Sequence, residues 1–358
     1  MSKRTRMSRV DKVFQGLGRR KAFVGLDVHK KTIQVAVWAG GRIAATWVMP
    51  AQVEKVVAML LPQRSAIRQV VYEAGPTGYS LARALRQAGL VAQVVAPGRS
   101  PRPAAREQKA DRLDAERLAE YAAKGLLVAV AVPSETEEAD RQLVRLREQL
   151  VKKRRRVKQQ IKSFLLQHGV AEPRGLGAWS RAALAALRAL SLRTTLRLCL
   201  GVLLDELDEL VRHVRRLDQA LRELARAARH AEAVALARTH PGVGAVVAMS
   251  YLVEVHRGGR FNEPGEVASY IGLAPRVRQS GQSRRDGPIV RTGRASVRAL
   301  LVEAAWRWRV RDPSARRVFA RLMHNTGSAK KAIVALARRL AVNLWAMLTR
   351  GHPYRAAA

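Results

Sequence analysis

The spacing of apolar residues changes near residue 134, and that change divides the chain. Before it, apolar residues alternate or come in short runs; after it they recur every three to four positions. The first pattern is that of strands, whose side chains face alternate sides, and the second is that of helices. With 358 residues, the chain can build two or three domains, each with its own core. The expected fold is an α/β domain followed by helical ones.

Residues 1–20 are basic and poorly patterned and read as a flexible arm. AFVGLDV is a short apolar run that closes on Asp27. TIQVAVWAG alternates up to a glycine pair at 40–41, and RIAATWV reads as a third strand. Residues 52–62 have helical spacing. IRQVVYEAG is a buried strand ending at Glu73, Pro76 to Ala88 is helical up to Gly89, and LVAQVVAP is the next strand. ADRLDAERLAEYAAKG is a helix stopped by Gly125. Strands first in series and then alternating with helices predict a mixed sheet over residues 21–133.

Over residues 134–235, Leu143, Leu146, Leu150, Val157, Ile161 and Leu165 form one stripe around the basic run Lys152, Lys153, Arg154, Arg155 and Arg156. Leu203, Leu207, Leu210, Val214, Leu217, Leu221 and Leu224 form a second. Two such helices, joined through a helical segment at 173–200, predict an antiparallel coiled-coil arm, a pattern that a helix-bundle core also satisfies. The domain at 236–350 opens on HPGVG, passes through an Arg-rich, loop-like stretch at 274–294 and closes on two helices. Residues 351–358 form a tail. Trp306, Trp308 and Trp345 are expected to pack inside.

Charge narrows the partner. Lys and Arg total 66 against 28 Asp and Glu, a formal net charge of +38. Such a chain needs a polyanion, with nucleic acid as the natural one. A membrane surface is the rival, but no apolar run approaches the roughly 20 residues of a span, and the N-terminus lacks the apolar core of a signal peptide. A single cysteine, Cys199, excludes an internal disulfide and paired-cysteine zinc sites, and fits the cytoplasm. In LRLCLGVLL it reads as a buried, inert thiol. No phosphate-binding loop of the nucleotide-hydrolase type is present, so ATP is not expected.

In so basic a chain, clustered acids need a reason. Asp27 and Glu73 end strands, and ligands gather at the carboxyl edge of open sheets. Asp111 and Asp114 are three apart on a helix and share a face. Taken singly, each has a structural role: a turn, or a helix's first turn. Together they form a hard-oxygen donor set for Mg2+ or Mn2+. Two such ions roughly 4 Å apart stabilise both the attacking and the leaving oxygen of a phosphodiester displacement. His29 lies two residues beyond Asp27 and reads as peripheral. At HPGVG, Gly242 and Gly244 fit a turn whose amides touch phosphates, or equally a tight turn packing two helices.

These residues resemble a known family. GLDVHKKT, VVYEAGPTGYSLARALRQAG, VVAPGRSPR and KADRLDAERLA, and later HPGVG, FNEPGEVASYIGLAPRVRQSGQSRRDGPIVRTG, SVRALLVEAAW and KKAIVALARRLAVNLWAMLTRG, resemble in order the blocks of the DEDD-type insertion-sequence transposases, the insertion-sequence-one-ten family. The likeness runs through nearly the whole chain from about Lys21. It implies a RuvC-like, ribonuclease-H-type first domain, whose acidic tetrad falls on Asp27, Glu73, Asp111 and Asp114. It implies a coiled-coil segment and a C-terminal transposase domain with a serine nucleophile, which falls on Ser280. It further implies a structured non-coding guide RNA, donor and target DNA, a dimer or tetramer with composite sites, and a covalent phosphoserine.

The residues around Ser280 bear on that role. A serine hydroxyl is a weak nucleophile until its proton is removed. Arg276, Arg278, Arg284, Arg285 and Arg291 can clamp a scissile phosphate, and Gly281 lets backbone approach it. On the residues alone, a basic loop that merely touches phosphates explains the segment as well, and Ser283 competes. The resemblance selects Ser280. One departure stands out: the family's usual Asn after the glycine of this block is Arg294 here.

Overall fold

The computed structural model describes residues 9–96, 111–256, 259–280, 283–291 and 293–356, with backbone alone for residues 9, 111–112, 277–280 and 283–286. The chain forms two compact units that meet between Glu135 and Thr136, close to the boundary expected at 133/134. The arm and the C-terminal segment, read as separate domains in the sequence, share the second unit.

The first unit begins with α1 (Arg9–Gly16), then β1 (Ala22–Val28), β2 (Thr32–Ala39), β3 (Arg42–Pro50), α2 (Val53–Leu60), β4 (Ile67–Glu73), α3 (Ser80–Gln87), β5 (Ala92–Val95), α4 (Asp111–Ala123) and β6 (Ala129–Val130). The six strands form one sheet in the order β3-β2-β1-β4-β5-β6. β1, β4 and β5 are parallel, while β2, β3 and β6 pair antiparallel. On one face, Val24, Leu26, Val70, Tyr72 and Val94 pack with Val56 and Leu60 of α2 and Leu81 and Leu85 of α3. On the other, Ala36, Val71 and Val95 lie under Ala115, Leu118, Ala119 and Ala122 of α4. Cover on both faces explains why the central strands are near-continuous apolar runs. The arm expected at 1–20 is in part this α1: Phe14 is 3% exposed and belongs to the same core. One aromatic anchor outweighs the polar sequence around it.

The second unit holds α5 (Glu135–Gln167), α6 (Arg181–Arg188), α7 (Thr194–Arg226), α8 (Ala228–Arg238), α9 (Ala245–Glu254), α10 (Pro264–Ile271), β7 (Pro275–Ser280), β8 (Ser283–Ile289), α11 (Ala295–Arg311), α12 (Pro313–Thr326) and α13 (Ala329–Arg350). α5 and α7 run to 33 residues each. They lie antiparallel. Val144 shares a core with Leu221, and Arg147 pairs with Asp218. Further along, Val157, Ile161 and Leu165 share one with Leu200, Leu204, Leu207 and Leu210. The near half of α5 departs from the expected stripe. Leu146 is exposed, and the inward positions are Asp140, Val144 and Glu148. Those acids are buried because arginines reach them from other elements. Cys199, expected inside, is exposed, beside the buried Leu200.

α8, α10, α11 and α12 pack around α13, whose Ala332, Ile333, Leu336, Ala337, Leu340, Ala341 and Leu344 are buried. By length and hydropathy α13 qualifies as a membrane span, contrary to the expectation that no segment would. Its apolar residues are instead satisfied by packing on neighbouring helices.

Candidate active site and nucleic-acid contacts

Gly25 fixes the first site. A β-carbon placed there would lie 2.1 Å from the Ala115 carbonyl oxygen and 2.6 Å from the Ala119 nitrogen. Only glycine lets the α4 backbone cross β1 so closely. Strand residues two apart share a face, so Asp27 is on the α4 side of the sheet with Gly25. The parallel register pairs Gly25 with Val71 and Leu26 with Tyr72. Glu73 therefore ends β4 one step beyond, on the same side as Val71, which packs against Leu118 of α4. Asp27 and Glu73 close adjacent parallel strands, and Asp114 is in the first turn of the helix that covers them.

The strand ends are held locally. The Tyr72 hydroxyl accepts from the Ala82 nitrogen at 3.2 Å and donates to the Gly78 carbonyl at 3.4 Å, and burial pushes its pKa up. The Ala74 nitrogen donates to Val95 at 2.8 Å. Asp27 Oδ2 is 2.9 Å from His29 Nε2, so His29, read as peripheral, touches the first acid. Asp114 faces Arg117 at 3.6 Å. The side chain of Asp111 lies outside the described residues. Among the described residues, no three His, Cys, Asp or Glu side chains converge as a metal-holding group. Asp27, Glu73 and Asp114 are each hard-oxygen donors of the kind that Mg2+ or Mn2+ takes.

The Arg-rich stretch expected as loop contains a hairpin. β7 and β8 pair antiparallel with Ser280 opposite Ser283, Gln279 opposite Arg284 and Arg278 opposite Arg285. The register places both serines at the turn. Their side chains, those of Arg278, Arg284 and Arg285, and Gly281 itself lie outside the described residues. Arg276 and Arg291 are exposed. The base of the hairpin is tightly held. The Val290 nitrogen donates to Ala274 and the Arg291 nitrogen to Gly272. Arg291 adopts a left-handed φ of 56°, and a β-carbon on Gly293 would lie 2.2 Å from the Tyr270 carbonyl.

Arg294 follows this base. Its guanidinium donates to Glu148 at 2.8 Å and lies 3.3 Å from Glu254. Glu254 also receives two bonds from Arg145, at 2.7 and 2.9 Å, and faces Arg141 at 3.7 Å. Three arginines around two buried glutamates thus tie α5, α9 and the start of α11 together. Sequence reading missed both acids, which look like ordinary members of a charged helix.

At HPGVG the two glycines differ. Gly242 is buried, its nitrogen is 3.4 Å from His240 Nδ1, and a β-carbon there would lie 2.4 Å from the Ala304 carbonyl. This is the tight packing turn, and Gly242 turns inward instead of offering its amide to a phosphate. Gly244 is exposed at the start of α9. His240, Trp308 and Tyr354 form a ring cluster around the turn. In the basic run, Lys152, Lys153, Arg155 and Arg156 are exposed on α5 and Arg154 is half-buried.

Residues 24–170 match the family DEDD_Tnp_IS110, described as a transposase. Residues 234–320 match the family described as Transposase IS116/IS110/IS902. The y4qE protein of Sinorhizobium fredii is 33% identical over 93% of this chain and 83% of its own. The transposase for insertion sequence element IS1111A of Coxiella burnetii is 26% identical over 94% and 92%. The transposase for insertion sequence element IS1533 of Leptospira borgpetersenii is 28% identical over 91% and 95%. A structure of T. thermophilus RuvC in complex with Holliday junction substrate aligns with 31% of this chain and 99% of its own, at 15% identity and a TM-score of 0.22. The mixed sheet, the helical second unit and these two family matches agree: the chain belongs to the IS110 family of DEDD transposases, DNA-recombining enzymes.

Proposed function

We propose that this transposase cuts and rejoins DNA with two sets of groups: an acidic site of Asp27, Glu73, Asp111 and Asp114 in a RuvC-like domain, and a serine nucleophile, Ser280. The observation that carries the first is the strand register: Asp27 and Glu73 end neighbouring parallel strands on the face that α4 covers. These acids would hold Mg2+ or Mn2+, which supplies charge to stabilise a phosphodiester under attack. His29, bonded to Asp27, orients that carboxylate.

Ser280 Oγ attacks phosphorus, the bond to one DNA oxygen breaks, and that hydroxyl leaves with a proton. A phosphoserine results. Attack by a hydroxyl of a second strand reverses the exchange and frees the serine. Bonds are exchanged one for one, so no nucleotide is consumed. Arg276, Arg278, Arg284, Arg285 and Arg291 offset the phosphate charge. Donor and target DNA are brought together by a structured guide RNA, and a dimer or tetramer of the cytoplasmic protein completes the site, as the family likeness implies. The arm acts as a coiled coil whose run at 152–156 grips nucleic acid.

The test is a trapped protein–DNA adduct. Wild type forms it in Mg2+; Ser280→Ala and Asp27→Asn lose it while still binding DNA. An adduct that survives Ser280→Ala and disappears in Ser283→Ala overturns the serine assignment. Undiminished strand exchange by Asp27→Asn overturns the acidic site.

A further inference from the structure

The end of the chain carries a charge imbalance that the site above does not use. Between Ala304 and Ala358 stand twelve lysines and arginines and one acid, Asp312. That acid is buried and already engaged. It accepts from the Ser314 nitrogen and hydroxyl at 2.8 and 2.7 Å, Trp308 Nε1 at 3.0 Å and the Tyr354 hydroxyl at 2.5 Å. Among the described residues of the stretch no other acid offsets its exposed arginines, and the nearest acid before it, Glu303, precedes Arg307 by one helical turn.

One of these arginines reaches the HPGVG turn, and two others stand on the adjoining stretches of α11 and α12. Arg307 and Arg311, four apart on α11, are both exposed and share a helix face. Arg311 spends one N–H on the Pro241 carbonyl at 3.3 Å, which leaves the rest of its donors outward. Arg316, at the start of α12, reaches back to the Val310 carbonyl at 3.3 Å. The exposed Gly244 stands three residues after Pro241. Arg309 is different: it lies over the rings of Phe319 and Trp306, at 4.2 and 5.4 Å. Those rings are thereby covered, and Trp308 is buried. The surface offers guanidinium groups without an open aromatic platform, which suits a duplex backbone and not stacked single-stranded bases.

We propose that Arg307, Arg311 and Arg316 form a docking surface for the phosphate backbone of double-stranded DNA. It rests on DNA as the substrate and is independent of the acidic site and of Ser280, so either can fail without the other. Contacts here position the duplex and carry no sequence information.

The test compares Arg307→Gln/Arg311→Gln/Arg316→Gln with Arg174→Gln/Arg193→Gln/Arg197→Gln, which removes equal charge from exposed positions elsewhere. Binding to a short DNA duplex and to an RNA duplex of equal length is measured across a salt series. Each lost phosphate contact flattens the log–log salt slope by about 0.9. The first variant should lose roughly 2 to 3 in slope for DNA, with RNA less affected and the second variant near wild type. Equal losses in both variants, an unchanged DNA slope, or a larger loss for RNA overturns the proposal. If the triple variant fails to fold, Arg307→Gln alone should lose about 0.9 in slope.

Discussion

At the scale of single residues, the second unit is pinned by buried polar groups that the fold keeps from taking up a proton. The His240 ring is fully buried between Trp308 and Tyr354, and its Nε2 has no hydrogen-bond partner. Burial lowers its pKa to about 3. The unfolded chain takes up a proton near pH 6.5 and the folded one does not. Stability is therefore complete above pH 6.5 and falls as pH drops toward 3, by about 2 kcal/mol between pH 7 and 5. Asp312, held below the usual carboxylate range by bonds from Tyr354, Ser314 and Trp308, adds loss only in stronger acid. His240→Phe should flatten the fall between pH 7 and 5 in denaturant titrations; an unchanged slope would refute the assignment. Arg294 is the converse case. Its removal leaves Glu148 and Glu254, both more than nine-tenths buried, short of positive charge. Arg294→Met should cost about 2 kcal/mol, reduced from the usual buried-pair figure because the arginine is itself partly exposed. Thermal melting would reveal it, and a variant as stable as wild type would show that Arg145 and Arg141 suffice.

Among the elements, the crossing of α4 over β1 decides whether the acidic residues can work together. Gly25→Ala puts a methyl group inside the van der Waals radius of the Ala115 carbonyl, and backbone cannot yield as a side chain tip does. The helix must move, which should destabilise the first unit by about 3 kcal/mol or more. It should also carry Asp114 away from the strand ends. The expected result is loss of metal-dependent cleavage with DNA binding retained, read by a nicking assay beside a gel shift. Cleavage at the wild-type rate would mean that the α4 acids are dispensable. Much of this unit was legible beforehand. A short apolar run, an alternating one and the glycine pair at 40–41 located β1 to β3, and Gly125 marked the end of α4, because those signals are local. What stayed hidden was set by distant partners. Phe14 is ordered by a core built far along the chain, and Asp140 and Glu148 are inward because Arg229 and Arg294 meet them. The hairpin at 275–289 looked like loop because its Arg-rich strands lack an apolar face. Its Ser280–Ser283 register is therefore not written in a hydrophobic pattern.

For the molecule as a whole, the distribution of the acids matters more than their number. Of 28 acidic residues, Asp140, Glu148, Glu254 and Asp218 are committed to arginines within the second unit. The charge left facing solvent is therefore more one-sided than the composition suggests, and it has more than one focus. The run at 152–156 lies on α5, whose inward residues along that stretch are Val157, Ile161 and Leu165. Replacing Lys152, Lys153, Arg155 and Arg156 by glutamine leaves that packing intact, so helix content and melting should hold. The salt slope of nucleic-acid binding should fall by roughly 3 to 4 if each contacts a phosphate. Combined with the Arg307, Arg311 and Arg316 changes, the losses should add, because separate surfaces on one ligand contribute independent counterion release. A combined slope no flatter than that of either variant alone would mean that the two surfaces compete for one stretch of nucleic acid instead of gripping two. The arm would then be an alternative seat for the same duplex, not a second hold on a larger assembly.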